Sequence, residues 1–164
     1  DPAKGLDALA RAHGRYRAGG GTLGLVLAGR PTVDMRLPGW VRTTGFVDEA
    51  TRADLLEACE VVALPSPHES LSLVALEAWR AGRPTLATAR SQVLAGQTAR
   101  SGGGLLYDEA DTYGRQLRRL AAAPTLRAEL GTSGHRWTAD HTWEACCARW
   151  ENLLDQVRAP VSER

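Results

Sequence analysis

The spacing of apolar positions changes several times along the chain, and each change marks a new element. Leu6, Leu9, Ala10 and His13 recur at helical spacing up to the break at Gly19-Gly20-Gly21. Residues 23–28 (LGLVLA) are a short apolar run with turn signals at both ends, which predicts a buried parallel strand. A loop punctuated by glycine and proline follows, and residues 40–43 read as a short strand. Asp48 is placed to cap a helix through Leu55, Leu56 and Cys59. Residues 61–64 (VVAL) predict a second buried strand, stopped by Pro65, and residues 71–81 a helix ending at Gly82. Residues 84–88 and 105–107 read as two more strands, and the chain from Asp111 onward reads as helical. Its last helix carries Trp143, Cys147, Trp150, Leu154 and Val157 as an apolar stripe.

Strands alternating with helices imply βαβ crossovers, so the expected fold is α/β: a Rossmann-like parallel sheet flanked by helices. Such sheets bind ligands at the carboxyl ends of their strands. The 164 residues suit one domain. Hydrophobic residues make up 43% and charged residues 24%, the balance of a globular protein. A net charge of +1, with basic residues scattered, argues against a nucleic-acid partner. No apolar run approaches the roughly 20 residues needed to cross a bilayer. The opening Asp1-Pro2-Ala3-Lys4 is unlike a signal peptide. Cys59, Cys146 and Cys147 have no metal-binding or redox spacing, and are expected to be reduced packing residues in a cytoplasmic protein. The twenty basic residues include a single lysine, Lys4, which draws attention to that position.

The segment 65–79 (PSPHESLSLVALEAW) concentrates the candidate chemistry. Between Ser70 and Trp79 the only charged residue is Glu77, on a helix apolar nearly all round and therefore expected to be buried. A carboxylate there needs a partner. Either it reaches solvent or an arginine such as Arg80 or Arg83, or it accepts hydrogen bonds from ligand hydroxyls. Glu69 precedes the helix, where the carboxyl end of the preceding strand should place it; its plain alternative is an exposed acid at a helix N-terminus. At a rise of about 1.5 Å per residue the two acids stand roughly 12 Å apart. That is about the span from a hexose across a diphosphate to a ribose. The free N–H groups near residues 71–74 would form an anion site between them.

With those residues in view, the chain resembles the C-terminal domain of the family 4 retaining glycosyltransferases of GT-B fold. The family's E-x7-E motif is matched by Glu69 and Glu77, with the expected apolar strand before and Glu-Ala-x-x-Ala-Gly-x-Pro after. Lys4-Gly5-Leu6-Asp7 resembles its KG-x-D, Leu27-Ala28-Gly29 its second strand and glycine, and Gly45-Phe46-Val47 its G-x-V turn. Gly104-Leu105-Leu106-Tyr107 and His141-Thr142-Trp143 complete six motifs in order. The resemblance implies that residues 1–164 are a nucleotide-sugar-binding domain. It implies a retaining transfer from a UDP- or GDP-linked donor to an unknown acceptor, with no cofactor and no metal. Lys4 would neutralise the diphosphate and Glu69 would hold donor-sugar hydroxyls, the pair being the catalytic candidates. Ser70, Leu71, Ser72, Leu73 and Val74 would line the sugar and phosphate, Glu77 would bind the ribose, and Gly29, Val47 and Arg52 would border the base. The sequence departs from the family at Ser70-Leu71-Ser72, where Gly-Phe-Gly is usual, and at Ser91 and Gln92, where an acid is common.

The same resemblance expects the family's first strand, the arginine after it and the N-terminal acceptor domain to precede residue 1, together with any peripheral membrane contact made by that half. In a sheet of order 3-2-1-4-5-6 the first strand is central. The strand at 23–28 would then stand about 9–10 Å from the one at 61–64 or 84–88, twice the normal spacing. Two other functional classes fit the same pattern: a non-catalytic nucleotide-binding or regulatory module with a decayed site, and a GT-B-like epimerase.

Overall fold

The computed structural model describes residues 4–29 and 37–158. Seven helices and five strands are found among them: α1 (Leu6–Ala18), β1 (Leu25–Ala28), β2 (Val41–Gly45), α2 (Glu49–Ala58), β3 (Val62–Leu64), α3 (Leu73–Arg80), β4 (Thr85–Thr88), α4 (Gln92–Ser101), β5 (Gly104–Tyr107), α5 (Ala110–Ala122), α6 (Pro124–Ala139) and α7 (Trp143–Arg158). The strands form two parallel sheets rather than one: β1 pairs with β2, and β4 lies between β3 and β5. No described strand pairs with the other edge of β1 or of β3.

Helices cover both faces, because successive side chains of a strand point to opposite sides. On β4 this is direct: Leu86 joins a core with Leu9, Ala12 and Tyr16 of α1 and Tyr113, Leu117 and Leu120 of α5. Its neighbour Ala87 joins a second core with Leu64, Ala75, Trp79 and Leu94 on the other face. Trp79 anchors that second layer. Its indole N–H donates to the Gly103 carbonyl at 2.7 Å, and its ring meets Trp137 of α6 edge-on at 5.6 Å.

Capping chemistry sets the helix starts. Asp48 caps α2 as expected, its carboxylate accepting from the Thr51 N–H at 2.8 Å. The predicted helix over 71–81 is shorter, because Ser72 caps it instead, accepting from the Ala75 N–H at 3.4 Å. It is also less buried than its composition implied. Ala75, Ala78 and Trp79 are buried, but Leu73 is 61% exposed and Val74 faces outward as well. Helix α4 was not anticipated. Its signals are Ser91, which accepts from the Leu94 N–H at 3.3 Å, and Gly102, whose φ of 60° ends it. The helical stretch after residue 111 is three helices; Pro124 lacks an N–H and opens a new one.

Two packing expectations are corrected. None of α7 is buried, Trp143 being 78% exposed, so its apolar stripe has no partner among the described residues. All three cysteines are free; Cys59 and Cys146 are half-buried but Cys147 is exposed, so it is no packing residue.

His13 joins α1, α5 and the approach to β1. The Leu23 carbonyl can only accept, so Nε2 of His13 carries the proton and donates to it at 3.0 Å, while Nδ1 accepts from the Tyr113 hydroxyl at 2.9 Å. Burial holds the His13 pKa below its ordinary value; the Arg17 charge adds to that, and the bond to Leu23 opposes it. The unfolded chain therefore binds more protons than the folded one just below the ordinary value of 6.5. His13 contributes full stability above that pH and loses it as pH falls through it. The midpoint of urea unfolding should fall between pH 7.5 and 5.5, and fall less in His13→Gln. Parallel pH profiles of the two proteins would contradict this assignment.

Candidate functional site

Strand β3 delivers the chain to the site. Pro65 follows its last residue, Leu64, and the turn that follows is held by the Ser66 hydroxyl donating to the His68 carbonyl at 3.0 Å. Glu69 lies in the loop beyond, Ser72 caps α3, and Glu77 lies on that helix. Because Glu69 precedes the helix, a separation reckoned from helical rise does not hold for the two acids. The N–H groups of Leu73 and Val74 have no acceptor among the described residues.

Two ion pairs flank that helix start. Lys4 Nζ stands 3.1 Å from Glu69 Oε1, and Arg52 Nη1 of α2 stands 3.3 Å from Glu77 Oε1. The Glu69 side chain is 16% exposed and that of Glu77 31%. Glu77 therefore finds neither Arg80 nor Arg83 but Arg52. Arg83 instead donates to the Glu57 carbonyl. The first pair depends on Gly5. Its φ is 71°, and a Cβ there would lie 2.3 Å from the Pro65 carbonyl oxygen, so only glycine lets α1 begin against this turn and put Lys4 over Glu69.

Both pairs line one cavity of about 930 Å³. Gly29, Leu71, Ser72, Leu73 and Val74, which the sequence singled out, line it with them. Gly29 has φ 118°, and a side chain there would meet nothing within 4 Å. Two expected residues are elsewhere. Val47 is half-buried on the turn between β2 and α2 and does not line the cavity. Ser70 turns to a second cavity of about 440 Å³ with Gln92, Gln97, Arg100, Trp137 and His141, leaving Leu71 to line both. Thr43 and Ser66 line the main cavity although neither is assigned a role from sequence. Ser66 lies in the flank of the E-x7-E motif, and the signal of Thr43 was position alone, near the carboxyl end of β2.

The mouth thus offers two carboxylates already paired with cations, and a helix N-terminus between them. That arrangement can take an anion on Lys4 and the free N–H groups while the carboxylates accept from hydroxyls. No group of three or more His, Cys, Asp and Glu side chains able to hold a metal ion is found among the described residues. No described helix is long and apolar enough to cross a membrane.

Residues 1–123 match the family described as Glycosyl transferases group 1. The chain belongs to that family. It is 35% identical over 133 residues to a D-inositol 3-phosphate glycosyltransferase of Kineococcus radiotolerans, covering 76% of this chain and 30% of that protein. The sucrose-phosphate synthase of Thermosynechococcus elongatus superposes with a TM-score of 0.78 at 26% identity, over 98% of this chain and 44% of the other. HepE of Anabaena, solved with UDP and also with UDP-glucose, gives a TM-score of 0.78 for the UDP complex at 16% identity, over 95% of this chain and 46% of its own. The fold is that of GT-B glycosyltransferase structures. The chain spans less than half the length of these relatives.

The Gly5 contact yields a test. Gly5→Ala meets both a left-handed backbone and the Pro65 carbonyl, whereas Gly20→Ala meets only a left-handed backbone, with nothing within 4 Å. The φ cost alone is about 1–2 kcal/mol. Gly5→Ala should lower the thermal midpoint clearly more than Gly20→Ala, and equal losses would mean that the Gly5–Pro65 approach is not a tight contact.

Proposed function

We propose that this chain is the donor-binding domain of a glycosyltransferase, and that the donor is a nucleoside-diphosphate sugar. The observation that carries the reading is the pairing of Lys4 with Glu69 and Arg52 with Glu77 on either side of the α3 N-terminus, along one cavity. In this reading the diphosphate lies against Lys4 and the N–H groups of Leu73 and Val74. Glu69 accepts from hydroxyls of the sugar, and Glu77 accepts from the ribose. Gly29 and Arg52 border the base. UDP and UDP-glucose bound to HepE support a uridine donor.

The reaction in this reading is the retaining transfer that the family resemblance implies. The bond from the anomeric carbon to the diphosphate oxygen breaks, and the acceptor hydroxyl oxygen bonds to that carbon on the same face, so that configuration is retained. The hydroxyl proton passes to the departing diphosphate oxygen. Charge builds on the departing diphosphate, where Lys4 and the helix N-terminus stand preorganised to meet it without reorganising. This counter-charge needs no metal. The acceptor is held by a separate N-terminal domain, so this chain binds donor, and catalysis belongs to the two domains together.

Titration calorimetry with UDP and UDP-glucose tests the roles separately. Glu77→Ala removes charge-assisted hydrogen bonds worth about 1.5–3 kcal/mol, so both ligands should bind about ten- to a hundredfold more weakly. Glu69→Ala should spare UDP and weaken UDP-glucose. Equal losses for both ligands in Glu69→Ala would contradict the sugar assignment, and unchanged affinity in a folded Glu77→Ala would reduce that residue to a structural role. Lys4→Ala should weaken UDP far more than uridine, with a loss that shrinks at high salt. A salt-independent loss shared by uridine would remove Lys4 from the diphosphate site.

A further inference from the structure

The second cavity, of about 440 Å³, shares Leu71 with the main one and is within the size range of small-molecule sites, roughly 300–1,000 Å³. Gln97 of α4 lines it and is only 2% exposed, yet neither Oε1 nor Nε2 of its carboxamide has a hydrogen-bond partner among the described residues. A buried amide left without partners is costly, and a polar occupant relieves that cost. We propose that this cavity is a second binding site, for a small anion that also carries hydroxyl groups, such as a sugar phosphate or a hydroxy acid. The inference does not depend on what the main cavity binds.

The charge of the occupant follows from α4. The helix begins at the cavity: Gln92 and Val93 both line it, and their N–H groups have no acceptor among the described residues. Val93, Gln97 and Arg100 recur at positions i, i+4 and i+7, so one face of α4 turns toward the cavity. Arg100 belongs to the last turn, but its guanidinium lies back along the helix. Its Nη1 is 3.1 Å from where a Cβ on Gly96 would stand, so the bare glycine leaves room for it. Arg100 pairs with no carboxylate among the described residues, and no aspartate or glutamate lines the cavity. A cation would find no counter-charge there, whereas an anion finds a guanidinium and a helix N-terminus.

Gln97 decides what else the anion carries. A phosphate or carboxylate oxygen only accepts, so it can satisfy Nε2 but gives nothing to Oε1; a hydroxyl supplies the missing donor. His141 offers a further contact. The Trp137 carbonyl can only accept, so Nδ1 of His141 donates to it at 2.7 Å, which leaves Nε2 without a partner among the described residues. The imidazole is held there by stacking on the Trp137 ring, 3.7 Å between centroids. The two departures of the sequence from the family pattern also meet at this wall. Ser70 brings a hydroxyl where glycine is usual, and Gln92 is uncharged where an acid is common.

Titration calorimetry on the 164-residue chain with glucose 6-phosphate, gluconate, glucose and inorganic phosphate tests the site. Glucose 6-phosphate or gluconate should bind about tenfold more tightly than glucose or inorganic phosphate, since only they offer both chemistries. The tighter of the two says whether the site takes a phosphate or a carboxylate. Amide shifts on binding should appear at Gln92, Val93 and Gln97. Arg100 is exposed, so Arg100→Ala leaves the packing intact and should weaken the anionic probe about tenfold. Gln97→Leu should bring that probe down to the affinity of inorganic phosphate. It should also raise the thermal midpoint of the unliganded chain, because two buried polar atoms without partners are removed. No binding of either hydroxylated anion, or shifts confined to Leu73 and Val74 of the main cavity, would overturn the inference. So would unchanged affinity in Arg100→Ala, or a midpoint lowered by Gln97→Leu.

Discussion

A parallel strand has two backbone edges, and among the described residues β1 and β3 each pair along one, while residues of both line the same cavity. The rest of the architecture is arranged around that fact. Helices α1 and α5 cover one face and α3, α4 and α6 the other, so the cavity opens where the strands end. Polar groups gather at those carboxyl ends because loops begin there, and the positive end of α3 points into the same place.

The mouth is held by contacts far apart in sequence. Lys4 reaches Glu69 because Gly5 can approach Pro65 without a side chain, and Arg52 reaches Glu77 because Asp48 starts α2 at the right residue. As half-exposed ion pairs these contribute little to stability, since water screens them and the long side chains lose freedom. Their role is better sought in recognition: each carboxylate is already oriented and supplied with a cation before a ligand arrives.

Much of this was legible in the sequence, for identifiable reasons. Short strand-forming runs bounded by turn signals marked every described strand to within two residues, although only β4 is buried along its whole length. Asp48 was readable as a cap because its chemistry is local. The spacing of Glu69 and Glu77, and the lone lysine, marked residues that the fold brings to one cavity. What was lost depends on tertiary context. The apolar α3 was read as buried, but Leu73 and Val74 face an open cavity, and no local pattern tells a core from a cavity wall. Ser70 and Val47 fell on motif positions, yet the orientation of a loop side chain follows from backbone angles that composition does not encode. Helix α4 lacked an apolar stripe strong enough to stand out, although Ser91 and Gly102 bracket it.

In the proposed function a nucleoside diphosphate sits at the α3 N-terminus between the two ion pairs. Amide chemical-shift mapping of the isotope-labelled chain titrated with UDP tests it residue by residue. Saturable shifts are expected at Gly5, Gly29, Leu73, Val74 and Glu77, with the amides around Gln97, Arg100 and His141 unmoved. Shifts confined to that second cavity, or none at millimolar UDP, would contradict it.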